Sequence, residues 1–251
     1  MHKTSFVKAE YFYRDYIAKA EGSKPLKILD IGSKIYEGQK SYRDVFTGTG
    51  VEYVGLDLED GENVNIVPAN MFLWKEIENE SFDCCISGQT FEHNPFFWIT
   101  FAEIARILKP GGQVLIVAPG RGDVHRYPVD CWRFYPDAWQ ALCSYTGLDL
   151  EESLFEDYRF NHVEEGAEWC DSSLIASKPR FTDNQQATDF YAQLQRITAT
   201  LPADLTQVLS NNGPVNNSLD SYHRGIATGF WRALGKRLKR RKLSKRIWEY
   251  F

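Results

Sequence analysis

The sequence predicts an α/β fold, a doubly wound sheet followed by a helical C-terminal extension, and three observations predict it. Leu26, Ile28, Leu29 and Ile31 form a short apolar run with one acid, Asp30, inside it and Gly32 at its end. Such a run reads as a buried parallel strand entering a turn. A second short strand, Glu52 to Leu56, ends at another acid, Asp57. Carboxylates at the ends of two buried strands fit the crevice where open α/β sheets bind ligands. Finally, strand-like and helix-like segments alternate through Ser177, and polar helical sequence replaces them from Pro179 onward. This sets a boundary near Lys178, with a ligand-binding domain over residues 1–178 and a helical extension over 179–251.

The elements follow in order. Residues 4 to 20 carry apolar side chains at mixed helical spacing and predict a leading helix, which Gly22 to Pro25 break. A turn and a short helix are expected between Ser33 and Phe46, closed by Gly48 and Gly50. Val64 to Val67 read as a third strand ending in Pro68-Ala69-Asn70, and Met71 to Ile77 as a short turn of helix. Ser81 to Ser87 form a fourth strand that runs into Gly88-Gln89-Thr90-Phe91-Glu92-His93. Asn94 and Pro95 open a helix with Phe97, Ile99, Phe101, Ile104, Ile107 and Leu108 at buried spacing. Lys109-Pro110-Gly111-Gly112 stop it, and Gln113 to Ala118 form the fifth strand. After a loop over Pro119 to Tyr135 come a helix from Pro136 to Tyr145 and strands over Leu148 to Phe155 and Ser172 to Ser177.

Composition bounds the function. A chain of 251 residues with 43% hydrophobic and 25% charged residues suits one large soluble domain with an appendage. No apolar stretch approaches the roughly 18 residues of a membrane span, and the N-terminus lacks a signal-peptide core, so a cytoplasmic protein is expected. Cys84, Cys85, Cys131, Cys143 and Cys170 have no CxxC spacing and read as reduced packing residues; no metal site is expected. From Ser221 onward ten Lys/Arg face Glu249 alone, which leaves 19 basic and 33 acidic residues, a formal −14, in the first 220. That acidic bulk disfavours a nucleic-acid partner. The tail, with Trp231, Leu234 and Leu238 on one face and Leu243, Ile247 and Phe251 at spacing four, reads as a cationic amphipathic helix. It fits packing on the acidic domain, self-association, or an anionic membrane surface.

Taken together, LDIGS, VGLD, SFDCCISGQTFEH and EIARILKPGGQVLIVAP, in that order and spacing, resemble the class I S-adenosylmethionine-dependent methyltransferases, in the branch whose fourth strand ends in Glu-His. The resemblance covers roughly residues 26 to 178 and implies a Rossmann-like sheet, mostly parallel with an antiparallel edge strand. It implies S-adenosylmethionine as cofactor. Asp30, Gly32 and Ser33 would lie at its amino-acid end, with Asp57 and Leu58 at the ribose. Asn70 and Met71 would lie by the adenine, and Ser87, Gly88 and Gln89 beneath the sulfonium. The sequence departs from the family pattern at Lys34, where a second glycine is common, and at Asn65 and Asn70, where acids are common.

Methyl transfer to a hydroxyl needs positioning and a general base, for which His93 and His125 are the candidates. A histidine at a strand end equally serves to bond backbone, and a polar loop is equally a solvated one. Arg121, Arg126 and Arg133 fit an anionic acceptor, with an internal pair of Arg133 with Asp130 or Asp137 as the alternative. Trp132, Phe134 and Tyr135 fit ring stacking or the core. The segment HRYPVDCWRFYPDAW is similar to one in members associated with polysaccharide biosynthesis, which implies a small or glycan-related acceptor and O-methylation. The rival readings are a cofactor-binding partner protein without catalysis and, less favoured, an RNA methyltransferase.

Overall fold

A computed structural model describes residues 3–18, 25–36, 40–46, 50–156, 166–205 and 208. The basic C-terminal helix expected from the sequence lies outside the described residues. Six strands form one sheet in the order β2-β1-β3-β4-β6-β5. They are β1 (Leu26–Ile31), β2 (Val51–Leu56), β3 (Phe82–Gly88), β4 (Leu108–Pro119), β5 (Asp149–Phe155) and β6 (Asp171–Ser177). The first four run parallel, and the edge pair β5–β6 is antiparallel, as is the β4–β6 pairing. The chain leaves β1 to one side for β2 and returns to the other for β3, so the switch point lies between β1 and β3. Register sets Ile31 beside Leu56 on one side and Ser87 on the other, which brings Gly32, Asp57 and Gln89 to one end of the sheet.

Both faces are covered because the central strands are apolar on both. In β4, Val114 through Ala118 are fully buried, with Val114 and Ile116 on one side and Leu115 and Val117 on the other. On one face sit α1 (Lys3–Phe12), a π-helical turn (Tyr13–Ile17) that extends it, and Tyr42 and Phe46. On the other sit α2 (Phe97–Ile107), α3 (Pro136–Thr146) and α4 (Asn184–Thr198), which contribute Phe101, Ile104, Trp139, Phe190 and Leu194. Each such side chain contributes about 1.5–3 kcal/mol by leaving water, so truncation in β4 or α2 would be felt across the domain. α3 begins with Pro136 at its first turn and ends at Gly147 in the left-handed region, the expected helix punctuation.

Three local departures from the sequence reading have physical causes. Val64 to Val67 make one parallel bridge, Leu56 to Ile66, and no strand. The backbone turns left-handed at Asn63 (φ 69°), and the Asn65 side chain accepts from the Gly55 amide (2.9 Å), so side-chain bonding replaces a ladder. Met71 to Ile77 form turns, not helix, because Arg106 takes the carbonyls of Trp74 (2.9 Å) and Ile77 (2.8 Å) while Glu103 accepts the Trp74 amide (2.8 Å). The Lys109-Pro110-Gly111-Gly112 segment is an irregularity inside β4. Gly111 (φ 80°) donates to Lys178 O at 2.8 Å and Lys178 returns a bond to Gly112 O at 2.9 Å. The Lys178 ammonium is buried, donates to Leu108 O and Tyr191 Oη (both 2.8 Å) and lies against the Phe190 ring, so it ties α4 to the sheet.

Candidate active site

The C-terminal ends of β1, β2 and β3, with the loop after β4, enclose a cleft of about 670 Å³, within the usual size of small-molecule sites. Gly32 forms its floor. Its φ of 79° is left-handed, and a Cβ built there would lie 2.1 Å from Thr90 Oγ1, so no other residue fits without displacing the β3 end. Asp57 lies at the rim, where its carboxylate accepts the Lys34 amide (2.9 Å) and its neighbour Leu58's amide (2.7 Å). A carboxylate offers about four acceptor directions, so it retains capacity for a ligand's hydroxyls. Lys34 turns its ammonium to Glu59 (2.7 Å) and over Tyr36, and it lines the cleft.

Of the residues implied at the cofactor, Gly32, Asp57, Leu58, Met71 and Gln89 line the cleft, whereas Asp30, Ser33, Asn70, Ser87 and Gly88 do not. Asp30 is buried and accepts from Tyr53 Oη at 2.5 Å; burial pushes its carboxyl up to about 7, an effect the Tyr53 bond opposes. Ser33 exchanges bonds with Asn63 (both 3.0 Å), and Ser87 donates to Ile31 O (2.9 Å), which locks the strand ends together. Gly88 lies against the Tyr42 ring. Asn70 spends its carbonyl on the amides of Phe72 (2.9 Å) and Leu73 (3.0 Å). Gln89, left-handed at φ 56°, donates to Asp171 at 3.0 Å.

Both candidate bases line the same cleft, with ring centroids 4.8 Å apart. His93 Nδ1 lies 2.7 Å from Val129 O. A carbonyl only accepts, so Nδ1 carries the proton and Nε2 carries the lone pair. Burial pushes His93 below the ordinary imidazole value. The strand-end histidine therefore bonds backbone and also faces the cleft. His125 sits on Trp169 (4.6 Å), with Nδ1 3.5 Å from Asp130 Oδ2 and 3.4 Å from Asp123 O. Asp130 is nearly buried, which alone raises its carboxyl; bonds from Arg133 (2.6 and 2.8 Å) and the His125 amide (2.8 Å) bring it below the ordinary value instead. Arg133 is thus committed to Asp130, the internal pairing that the sequence allowed. Phe134 stacks on Trp139 in the core (4.6 Å, 7°), while Trp132 is partly exposed and donates to Asn94 O (3.0 Å).

Glu92 adds a buried carboxyl that the cleft leaves without a hydrogen-bond partner. It is fully buried, its carboxylate has no hydrogen-bond partner on another residue, and burial pushes it up to about 8, against a smaller opposing effect of its own backbone amide. Its main-chain oxygen accepts the amides of Cys131 (2.7 Å) and Trp132 (3.2 Å), which holds the loop after β4 against the end of β3. Tyr36, Trp74, Thr100, Tyr127 and Val129 also line the cleft and were not singled out in the sequence. Tyr127 and Val129 lie in the loop over Pro119 to Tyr135; Trp74 and Thr100 carry no local signal.

Comparison with known proteins agrees with this architecture. A family model described as a methyltransferase domain matches residues 38–116. Proteins of Mycobacterium tuberculosis and Mycobacterium bovis, each described as an uncharacterized methyltransferase, are 29% identical over 99 residues, or 36% of this chain and 37% of theirs. The chain thus matches well under half the length of these relatives. Among solved structures, a CurJ carbon methyltransferase aligns at TM-score 0.52 and 13% identity, covering 70% of this chain and 54% of the other. A Burkholderia thailandensis 1,6-didemethyltoxoflavin-N1-methyltransferase, solved with S-adenosylhomocysteine, aligns at 0.52 and 13%, covering 70% and 79%. The [4+2]-cyclase SpnF aligns at 0.52 and 14%, covering 70% and 82%. At such identities the likeness is one of fold. The sheet order and the motif order agree with the fold of class I S-adenosylmethionine-dependent methyltransferases, and residues 38–116 match the methyltransferase-domain model.

Proposed function

We propose that this chain transfers a methyl group from S-adenosylmethionine to a small or glycan-related acceptor at oxygen, as a cytoplasmic enzyme of polysaccharide biosynthesis. One observation carries the reading: the ribose-type acid Asp57 and the close-approach glycine Gly32 line the same cleft as the two imidazoles of His93 and His125. When bound, the cofactor supplies an electrophilic methyl on a sulfonium, with a neutral leaving group. Asp57 would accept the ribose hydroxyls, Gly32 would admit the amino-acid end against the backbone, and Leu58, Met71 and Gln89 would complete the wall. Asp30, Ser33, Asn70, Ser87 and Gly88 would shape that wall from behind.

At the acceptor end, His125 takes the hydroxyl proton, and Asp130 stabilises the imidazolium that forms. His93, with Nδ1 held at Val129 O, presents its free Nε2 to the same cleft and is the alternative base. The division into a cofactor-binding domain over 1–178 and an extension over 179–251 is part of this proposal, with α4 packed on the domain and the basic tail available to the domain, a second copy or an anionic membrane surface. A second reading, cofactor binding without transfer, is favoured by one feature: Lys34, in place of a glycine, puts its side chain on the cleft wall.

The test is transfer of labelled methyl to a panel of sugars and nucleotide sugars by wild type and His125→Ala. Transfer to a hydroxyl that falls at least about 100-fold in the variant supports the reading. Transfer only to nitrogen or carbon acceptors, or none while the cofactor binds, overturns it.

A further inference from the structure

We propose that Glu92, His93 and His125 form a binding site for a divalent first-row transition metal, with an open coordination position facing the cleft. Each offers one ligand atom, and these atoms lie within 4.8 Å of one another; Glu92 Oε1 is 3.6 Å from His93 Nε2. An ion bound at about 2.0–2.2 Å from each ligand needs them roughly 3–4 Å apart, so a small movement of the exposed loop that carries His125 completes the set.

The hydrogen-bond accounting points to a cation. Glu92 is fully buried, yet neither carboxylate oxygen has a hydrogen-bond partner on another residue, although buried polar groups are almost always paired. His93 presents a lone pair to it, because Nδ1 is held at Val129 O (2.7 Å). His125 has the same arrangement in looser form: Nδ1 faces Asp123 O and the buried Asp130 carboxylate, with Arg133 Nη2 3.5 Å away, which leaves Nε2 for a ligand. A metal-binding histidine typically has its other nitrogen held by a backbone carbonyl or a carboxylate. A carboxyl and two imidazole nitrogens thus converge, and a cation can take the place of the proton that Glu92 would otherwise hold. Asp130 and Asp171 add negative potential at Glu92, which Arg133 only partly offsets.

Two imidazoles and one carboxylate suit Zn²⁺, Fe²⁺, Co²⁺ or Mn²⁺ and leave positions for an exogenous oxygen, the pattern of catalytic sites. Because His93 and His125 line the cleft, that oxygen would come from the acceptor. The ion would then lower the hydroxyl's proton affinity, and with both imidazoles held as ligands the proton would pass to solvent water, in place of the free His125 base. This last role rests on the methyl-transfer reading; the binding does not.

The test uses full-length protein stripped with a chelator. Zn²⁺ is titrated by calorimetry and Co²⁺ by visible absorption, in wild type, Glu92→Gln, His93→Ala and His125→Ala, with S-adenosylhomocysteine binding measured on each. One equivalent per chain is expected, with cobalt bands lacking thiolate charge transfer. Each variant should weaken binding at least about 10-fold, with circular dichroism unchanged; His125→Ala, in a loop, is the variant least exposed to misfolding. Absence of saturable binding in wild type, a thiolate signature, or affinity unchanged in both histidine variants overturns the proposal. Metal binding without S-adenosylhomocysteine binding would refute the functional reading and leave the metal site standing.

Discussion

Replacing Gly32 with alanine imposes two separable costs, and the structure assigns a cause to each. The backbone there is left-handed (φ 79°), which costs a residue with a Cβ about 1–2 kcal/mol. The new methyl would also sit 2.1 Å from Thr90 Oγ1 and 2.9 Å from its Cγ2, an overlap of the kind that costs about 1–3 kcal/mol. Gly32→Ala should therefore lose roughly 2–5 kcal/mol of stability in all. Thr90→Ala removes both overlapping atoms and leaves only Cβ at 3.0 Å, which a slight shift relieves. In that background Gly32→Ala should cost only the backbone part, about 1–2 kcal/mol. The difference is the coupling energy of a double-mutant cycle, read by urea unfolding followed by tryptophan fluorescence. A single-mutant cost under about 0.5 kcal/mol, or the same cost in both backgrounds, would refute this account of how β1 and β3 build the cleft floor.

Asp30→Asn should stabilise the protein at pH 8 and not at pH 4. A carboxyl raised to about 7 on folding holds a proton that the unfolded chain has lost, so its contribution falls as pH rises from about 4 to 7 and is flat above. The gain at pH 8, at most roughly 4 kcal/mol, is read by denaturant unfolding at both pH values; a gain that does not grow with pH would contradict it. Arg106→Ala removes the donor that holds buried Glu103 and the carbonyls of Trp74 and Ile77, and should cost about 3–5 kcal/mol. A cost below about 1 kcal/mol would show that the segment over 71–77 holds itself. His125→Ala should lower turnover while leaving cofactor affinity within about twofold, since its contacts are to the loop after β4, His93 and Trp169 and not to Gly32 or Asp57; a matching loss of both would place it at the cofactor.

Much of this architecture was legible because burial writes itself into local sequence. The apolar runs of β1, β3 and β4, and the 3.6-residue spacing in α2, were readable since each packs on a full face of the sheet. Where side chains compete with the ladder, the reading failed. Val64 and Ile66 look like strand residues, but Asn63 turns left-handed and bonds to Ser33 while the Asn65 side chain takes the Gly55 amide of β2, which leaves only a bridge. The sequence at 71–77 has helical spacing, but its carbonyls belong to Arg106, about thirty positions later in the chain. Asn70 was placed at the adenine by resemblance, whereas its carbonyl is held by the two amides that follow it. The cleft shows the same limit. Gly32 and Asp57 were readable as strand-end residues, but the meeting of Glu92, His93 and His125 depends on how the loop after β4 folds back over the β3 end. No local pattern encodes that return.

The most direct test of the account is calorimetric titration of the full-length protein with S-adenosylmethionine and S-adenosylhomocysteine, beside Asp57→Ala. The account predicts one site per chain, weakened in the variant by about 1–3 kcal/mol as charge-assisted bonds to the ribose are lost. Binding that is absent in folded wild-type protein, or that is indifferent to Asp57, would contradict it.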